Sequence, residues 1–75
     1  MSAFAIIDPR PILTYGEKYI AERGLESAKA RVLHLNKRIA AETALGDLAL
    51  ARSMIDEAEN LRKAILDAGG QPPIL

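Results

Sequence analysis

Two series of apolar residues, spaced alternately three and four apart, constrain the fold of this 75-residue chain more than any other feature. On a helix with 3.6 residues per turn, this spacing places all members of a series on the same side. Each series therefore predicts a helix with one apolar seam. The first seam consists of Leu25, Ala28, Val32, Leu35 and Ile39, and the second of Ala51, Met54, Ala58, Leu61, Ile65 and Ala68.

The segment Leu45-Gly46-Asp47 lies between the two seams and predicts a tight turn. Gly46 can adopt the left-handed conformation that ends many helices, and the carboxylate of Asp47 can cap the following helix. We therefore expect an antiparallel helical hairpin, over about 25–45 and 47–68, that packs its two seams together. The second helix should stop at Gly69, because the prolines shortly after it cannot continue a helix.

The residues before the hairpin predict a short helix over about 15–23. Thr14 and Glu17 have the spacing of a capping box, in which each side chain bonds the backbone amide of the other residue. Gly24 favours a break before the hairpin, although a helix can continue through a glycine at a cost of about 1 kcal/mol. The expected fold is thus all-α, in a single small domain. It comprises an apolar tail with a proline-containing turn over 1–13, the short helix within 14–24, the hairpin over 25–68 and a C-terminal tail over 69–75.

The apolar residues outside the seams exceed what a simple hairpin can bury, since a helix in a hairpin needs an apolar side only about 100° wide. A chain without cysteine also has no disulfide with which to supplement a small core. Two explanations remain open: the short helix folds back over the surplus, or a second copy or another protein covers it. The candidate partner interface consists of Phe4, Ile6, Ile7, Leu33, Leu48, Ile55, Leu66, Ile74 and Leu75.

The charges bear on the choice of partner. Ten basic and ten acidic residues balance, which argues against a general nucleic-acid or anionic-membrane binder. Residues 24–45 nevertheless carry four basic and two acidic side chains, whereas residues 46–75 carry three and five. One column of the first long helix, formed by Arg31, His34 and Arg38, is a candidate anion contact. It supports an alternative function, a small regulatory nucleic-acid-binding hairpin dimer.

The sequence predicts neither catalysis nor a metal or cofactor site. His34 is the only histidine, it has no serine at useful spacing, and it belongs to no paired metal-ligand motif. Asp56, Glu57 and Glu59 splay around a helix, where Arg52 with Asp56 and Glu59 with Lys63 have the i,i+4 spacing of ion pairs.

The function expected from these observations is a non-catalytic protein–protein interaction or assembly module. Such a hairpin would self-associate or pack into a larger complex, for example a multi-subunit particle such as a virion. The chain shows no signal-peptide pattern and no apolar stretch of membrane-spanning length, so we expect a soluble cytoplasmic protein that acts away from membranes.

Overall fold

The computed structural model describes residues 12–74, which form three α-helices and contain no strand. The helices are α1 (Tyr15–Arg23), α2 (Leu25–Leu45) and α3 (Leu48–Asp67). The all-α fold class expected from the sequence is therefore confirmed. Four residues of the predicted interface, Phe4, Ile6, Ile7 and Leu75, lie outside the described residues.

The start and end of α1 follow from its capping residues. The Glu17 amide donates to Thr14 Oγ1 at 3.2 Å, and the Thr14 amide donates to Glu17 Oε1 at 2.8 Å, so both bonds of the capping box are present. The helix ends at Gly24, whose φ of 90° and ψ of 161° belong to a region that is essentially restricted to glycine. The chain thus breaks at this glycine rather than running continuously into α2.

The turn between α2 and α3 uses the two residues that the sequence indicates. Gly46 takes the left-handed conformation, with φ 86° and ψ 6°, and its amide bonds back to the last turn of α2. The Asp47 carboxylate accepts a hydrogen bond from the Leu50 amide at 3.1 Å and so caps α3. At the other end, α3 stops at Asp67, one residue before the predicted limit, and Gly69 has a positive φ of 87°.

The core lies between α2 and α3. Val32, Leu35, Leu61 and Ile65 are its largest fully buried side chains. Leu25 and Ile39, at the two ends of the first seam, are half-buried against it. Of the remaining seam residues, Ala28, Ala51, Met54 and Ala58 are buried, whereas Ala68 is exposed because it follows the last residue of α3.

Helix α1 folds back against the hairpin and runs parallel to α3. Tyr15 at its start lies beside Glu57, Gly16 lies against Asn60, and Ile20 near its end lies near Ala68. Tyr19 and Ile20 pack against the core. The molecule is therefore a three-helix unit in which α1 covers one side of the hairpin.

The chain after α3 reverses direction and follows the groove between α2 and α3 on the side away from α1. The Gly70 amide donates to the Ile65 carbonyl at 2.9 Å, which turns the chain at the end of the helix. Four residues later, the Asn36 side-chain amide donates to the Ile74 carbonyl at 3.3 Å. This bond secures residues 71–74 beside α2.

None of the helices within residues 12–74 has an apolar stretch long enough to cross a lipid bilayer.

Candidate interaction surface

The outer side of α3 carries a second series of residues at heptad spacing, which we call the outer stripe. Its apolar members Leu48, Ile55 and Leu66 are 65%, 38% and 56% exposed. At about 100° per residue, this stripe lies roughly a quarter-turn from the buried seam. Its members are spaced alternately four and three apart, as in the seam of a coiled coil: Leu48, Arg52, Ile55, Glu59, Arg62 and Leu66.

Helix α1 does not cover the outer stripe, because it lies on the opposite side of α3. The residues of α3 that meet α1 are Glu57, Asn60 and Ala64, which lie about half a turn from Ile55. Ala64 is only 4% exposed under this contact. The fold-back of α1 thus accounts for one flank of the broad apolar side of α3 and leaves the other flank exposed.

A groove of about 560 Å³ adjoins the outer stripe, between α2 and α3. Ile39, Ala40 and Ile55 form its apolar wall, and the tail residues Pro72, Pro73 and Ile74 line its other side. A short polar bridge crosses it, in which Arg62 Nη1 donates to Asn36 Oδ1 at 3.3 Å. Asn36 therefore accepts a hydrogen bond from α3 and donates one to the tail. Its side chain links α2, α3 and the tail.

The predicted interface residues differ in how the structure places them. Leu48, Ile55 and Leu66 lie together on the outer stripe, whereas Leu33 is half-buried on α2 and is no part of the stripe. Ile74 is 87% exposed at the end of the tail, beside the groove.

On the α1 side of the hairpin, a polar cluster joins all three helices. Arg31 Nε and Nη2 donate to the two carboxylate oxygens of Glu57, at 2.9 and 3.2 Å. The Tyr15 hydroxyl donates to the same carboxylate at 2.6 Å. Glu57 therefore accepts hydrogen bonds from both α1 and α2. These bonds hold the start of α1 against the hairpin.

Protonation in this cluster follows from its hydrogen bonds. The bond from Arg31 holds the pKa of the Glu57 carboxyl below its ordinary value of 4.5, against an opposing effect of partial burial, and the bond from Tyr15 adds to the lowering. Partial burial raises the pKa of the Tyr15 hydroxyl above 10.0, and the hydrogen bond to Glu57 raises it further. The cluster is thus most favourable with an ionised Glu57 and a neutral Tyr15.

The candidate anion contact offers little unpaired positive charge. Arg31 is engaged by Glu57, and Arg38 Nη2 donates to Glu42 at 3.0 Å on the same helix. His34 is exposed between them, and all three side chains line a depression of about 180 Å³ with Leu50. Two of the three members of the predicted column are therefore partnered by carboxylates within the chain.

The acidic residues of α3 are used differently from the expected i,i+4 pairs. Neither Arg52 with Asp56 nor Glu59 with Lys63 forms an ion pair within 4.0 Å. Glu57, which has no i,i+4 partner in the sequence, forms the pair with α2 instead. Arg52 and Glu59 are consequently exposed charges on the outer stripe, each without an ion-pair partner within residues 12–74.

The sequence does not predict the contacts of three residues: Gly16, Asn60 and Asn36. Gly16 is buried, and its amide donates to Asn60 Oδ1 at 2.6 Å across 44 positions of sequence. Asn36 is the bridge to Arg62 and the tail. A glycine in the first turn of a helix is a signal for close helix packing, but the sequence does not indicate its partner.

No protein-family model matches the sequence, and no curated protein or solved structure is significantly similar to it.

Proposed function

We propose that this protein is a non-catalytic protein–protein interaction module, which contributes the outer stripe of its hairpin to a larger assembly. One observation carries the proposal: Leu48, Ile55 and Leu66 are aligned and exposed on the side of α3 that α1 leaves uncovered. Single exposed leucines are common on protein surfaces, whereas exposed apolar side chains that repeat at heptad spacing along one side of a helix are typical of helix–helix contacts. The stripe therefore acts as the contact through which the module binds another polypeptide.

The attachment of α1 explains why the molecule does not cover the stripe with its own third helix. Tyr15 and Gly16 are bonded to Glu57 and Asn60 on the far side of α3. Moving α1 onto the outer stripe would break both bonds and expose Ala64. The same side chains that complete the three-helix unit thus leave the stripe available to a partner.

The polar groups also support a non-catalytic role. Glu57, Arg31 and Tyr15 satisfy one another, and Asn60 and Asn36 bond the backbone of other segments. These contacts stabilise helix packing, and the polar side chains that line the groove within residues 12–74, Arg62 and Asn36, bond each other. As part of the same proposal, the assembly is cytoplasmic, and a multi-subunit particle is a suitable setting because repeated subunits present many such stripes.

The proposal is tested by placing a charge on the stripe. Leu48→Glu and Leu66→Glu should abolish association while leaving helicity nearly unchanged, because both side chains are more than half exposed. Ile12→Glu is the matched control, since Ile12 is 96% exposed and precedes α1. Circular dichroism checks the fold. Light scattering measures association of the purified protein, and quantitative mass spectrometry of proteins bound to each variant measures association with other chains.

The expected result is a complex, of the protein with itself or with a different protein, that forms with the original sequence and with Ile12→Glu. Both stripe variants should lose that complex. The proposal is overturned if the stripe variants retain every complex that the original protein forms, or if no complex forms by either measurement.

A further inference from the structure

The groove between α2 and α3 already holds a polypeptide segment, the chain's own tail. Pro72 and Pro73 are half-buried, and together with Ile74 they line one side of the groove. Within residues 12–74, one hydrogen bond holds the end of this segment, from the Asn36 side-chain amide to the Ile74 carbonyl at 3.3 Å. The tail therefore shows which kind of polypeptide fits beside this part of α2.

The sequence of the tail explains why it fits. Gln71 and Pro72 each precede a proline, which biases their backbone towards extended or polyproline II conformations. The two prolines have no amide hydrogen, so this part of the tail offers the groove only carbonyl oxygens and apolar rings. On α2, Asn36 supplies a donor to a carbonyl, and Ile39 and Ala40 supply an apolar wall. A segment that is stiff before it binds also loses little conformational freedom on binding.

The tail is fixed firmly at its start and weakly at its end. The Gly70 amide donates to the Ile65 carbonyl at 2.9 Å, and a Cβ added at Gly70 would lie 3.1 Å from side-chain atoms of Leu25 and Ile65. At the other end, Ile74 is 87% exposed and is held through its carbonyl alone. Residues 71–74 are thus arranged to leave the groove by a rotation at Gly70 that breaks one hydrogen bond.

We propose that the groove is a binding site for a proline-containing segment of another protein, and that residues 71–74 occupy this site until the segment displaces them. Beside the tail, the groove measures about 560 Å³ and is walled by Ile39, Ala40 and Ile55. A segment with further apolar residues after its two prolines would make the contacts of the tail and also pack against this wall.

The tethering of the tail determines the source of the displacing segment. A competitor attached to the same chain acts at an effective concentration of about a millimolar, so only a segment with additional contacts displaces it. The tail of a second copy makes no contact that the attached tail lacks. The partner is therefore a different protein. This inference goes beyond the proposed function, because Leu48 and Leu66, which test the outer stripe, do not line the groove.

Competition between the tail and an added peptide tests the inference in the full chain. The probe is a synthetic peptide, Gly-Gln-Pro-Pro-Ile-Leu-Leu, with both ends blocked. Nuclear magnetic resonance follows the Asn36 side-chain amide and the Ala40 backbone amide during the titration. We expect saturable shifts of both signals, and a peptide with serine in place of its two prolines should produce much smaller ones.

Weakening the tail should strengthen binding of the probe. The double serine variant, Pro72→Ser with Pro73→Ser, increases the fraction of chains with an open groove, so the Kd of the probe should fall about threefold to tenfold. Gln71→Ser, an exposed change in the same segment, is the matched control and should leave the Kd unchanged. Prolines that only stabilise the fold would not give tighter binding when they are removed.

The role of Asn36 is measured in the double serine variant, where the tail no longer competes. Adding Asn36→Ala should raise the Kd of the probe about threefold to tenfold, the effect of one lost hydrogen bond. Lys37→Ala, an exposed change at the next position, should have no effect. Circular dichroism confirms that each variant keeps its helices.

The inference is overturned if the probe shifts neither signal in the original chain nor in the double serine variant. It is also overturned if both proteins bind the probe equally, because the tail would then not occupy the site. A dimer that the double serine variant converts to a monomer would make the tail of a second copy the occupant and would overturn it as well. None of these results bears on the proposed function, which fails only by the outcomes of the Leu48→Glu and Leu66→Glu variants.

Discussion

Gly16 shows at the scale of a single residue how the absence of a side chain positions a helix. A Cβ atom at this position would lie 2.6 Å from the Asn60 carbonyl oxygen and 2.8 Å from Ala64 Cβ. Both contacts are far inside van der Waals distance, and the first is to backbone, which cannot rotate away. In the sequence this glycine only weakens the expectation of a helix, whereas in the structure it allows α1 to approach α3 closely.

We expect Gly16→Ala to destabilise the protein, even though alanine is the better helix former by about 1 kcal/mol. The overpacking should cost about 1 to 3 kcal/mol beyond that gain, as α1 is forced away from α3. Urea unfolding followed by circular dichroism measures the change. Lys18→Ala, an exposed change on the same helix, is the control. A Gly16→Ala variant as stable as the original would show that α1 does not pack at this distance.

Glu57 is the second residue that positions the helices, because its carboxylate accepts hydrogen bonds from both α1 and α2. Glu57→Gln removes the charge but keeps the shape, and it should lower the free energy of unfolding by about 1 kcal/mol, the scale expected for a partly exposed ion pair. Glu59→Gln, on the exposed side of the same helix, should change it little. Chemical denaturation at neutral pH separates the two variants.

The same carboxylate predicts a pH dependence with a definite sign. Its pKa is lowered on folding, so the folded state binds a proton there less readily than the unfolded state does. The stabilising contribution is therefore complete above the ordinary value of 4.5 and is lost as the pH falls through the lowered pKa. Unfolding measured across this acidic range should show a smaller loss for Glu57→Gln. An equal loss in both proteins would assign acid sensitivity to other groups.

At the scale of the helices, the ends are largely determined by local chemistry. Thr14, Gly24, Gly46 and Asp47 each act within a few residues of their position in the sequence, and the structure shows each at the end of a helix. For this reason the three helices and their limits could be predicted to within about one residue. Conformation at these sites depends on neighbours in the chain rather than on distant partners.

The contacts between the helices could be predicted only in part. The seam of α2 against that of α3 follows from spacing, because a narrow apolar side must be buried. The contacts of α1 depend instead on Asn60 and Glu57, more than 40 positions away, and their polar side chains resemble ordinary surface residues in the sequence. The sequence predicts Leu48, Ile55 and Leu66 as surface residues of an interface. It does not predict that α1 packs on the opposite side of α3 and leaves them exposed.

Gly24 provides a test at this scale, since it separates α1 from α2. Its φ and ψ are those of a region essentially confined to glycine, so Gly24→Ala should cost about 1 to 3 kcal/mol if the break is kept. Apart from the adjacent residues of the chain, no heavy atom of the described residues lies within 4 Å of the added Cβ, and the effect is therefore one of backbone conformation. Hydrogen exchange of the α1 amides should rise in this variant. An unchanged stability and unchanged exchange would contradict the sharp break.

At the scale of the whole molecule, the other two helices are distributed unevenly around α3. Helix α1 covers one flank and α2 covers the seam, while no helix of residues 12–74 lies over the outer stripe. The tail adds a short segment in the neighbouring groove, secured by Asn36. Within residues 12–74, α3 is therefore covered on one flank and exposed along the outer stripe.

This asymmetry predicts that stability depends on protein concentration. If only the folded chain associates through the outer stripe, mass action raises the midpoint of thermal unfolding as the concentration rises. Leu66→Glu should remove the dependence and give the midpoint of the original protein at high dilution. Calorimetry over a wide concentration range makes the measurement. A midpoint that stays constant for the original protein would mean that folding and self-association are not linked.

The placement of the aromatic residues gives the molecule an internal optical reporter. The chain has two tyrosines and no tryptophan, and both tyrosines belong to α1. Their rings meet edge to face with centroids 6.0 Å apart, and Arg23 lies 5.3 Å from the centre of the Tyr19 ring. Tyrosine fluorescence and near-ultraviolet dichroism therefore monitor this one helix, while far-ultraviolet dichroism is dominated by the longer α2 and α3. Comparing the two signals during denaturation can reveal whether α1 leaves the hairpin before the hairpin itself melts.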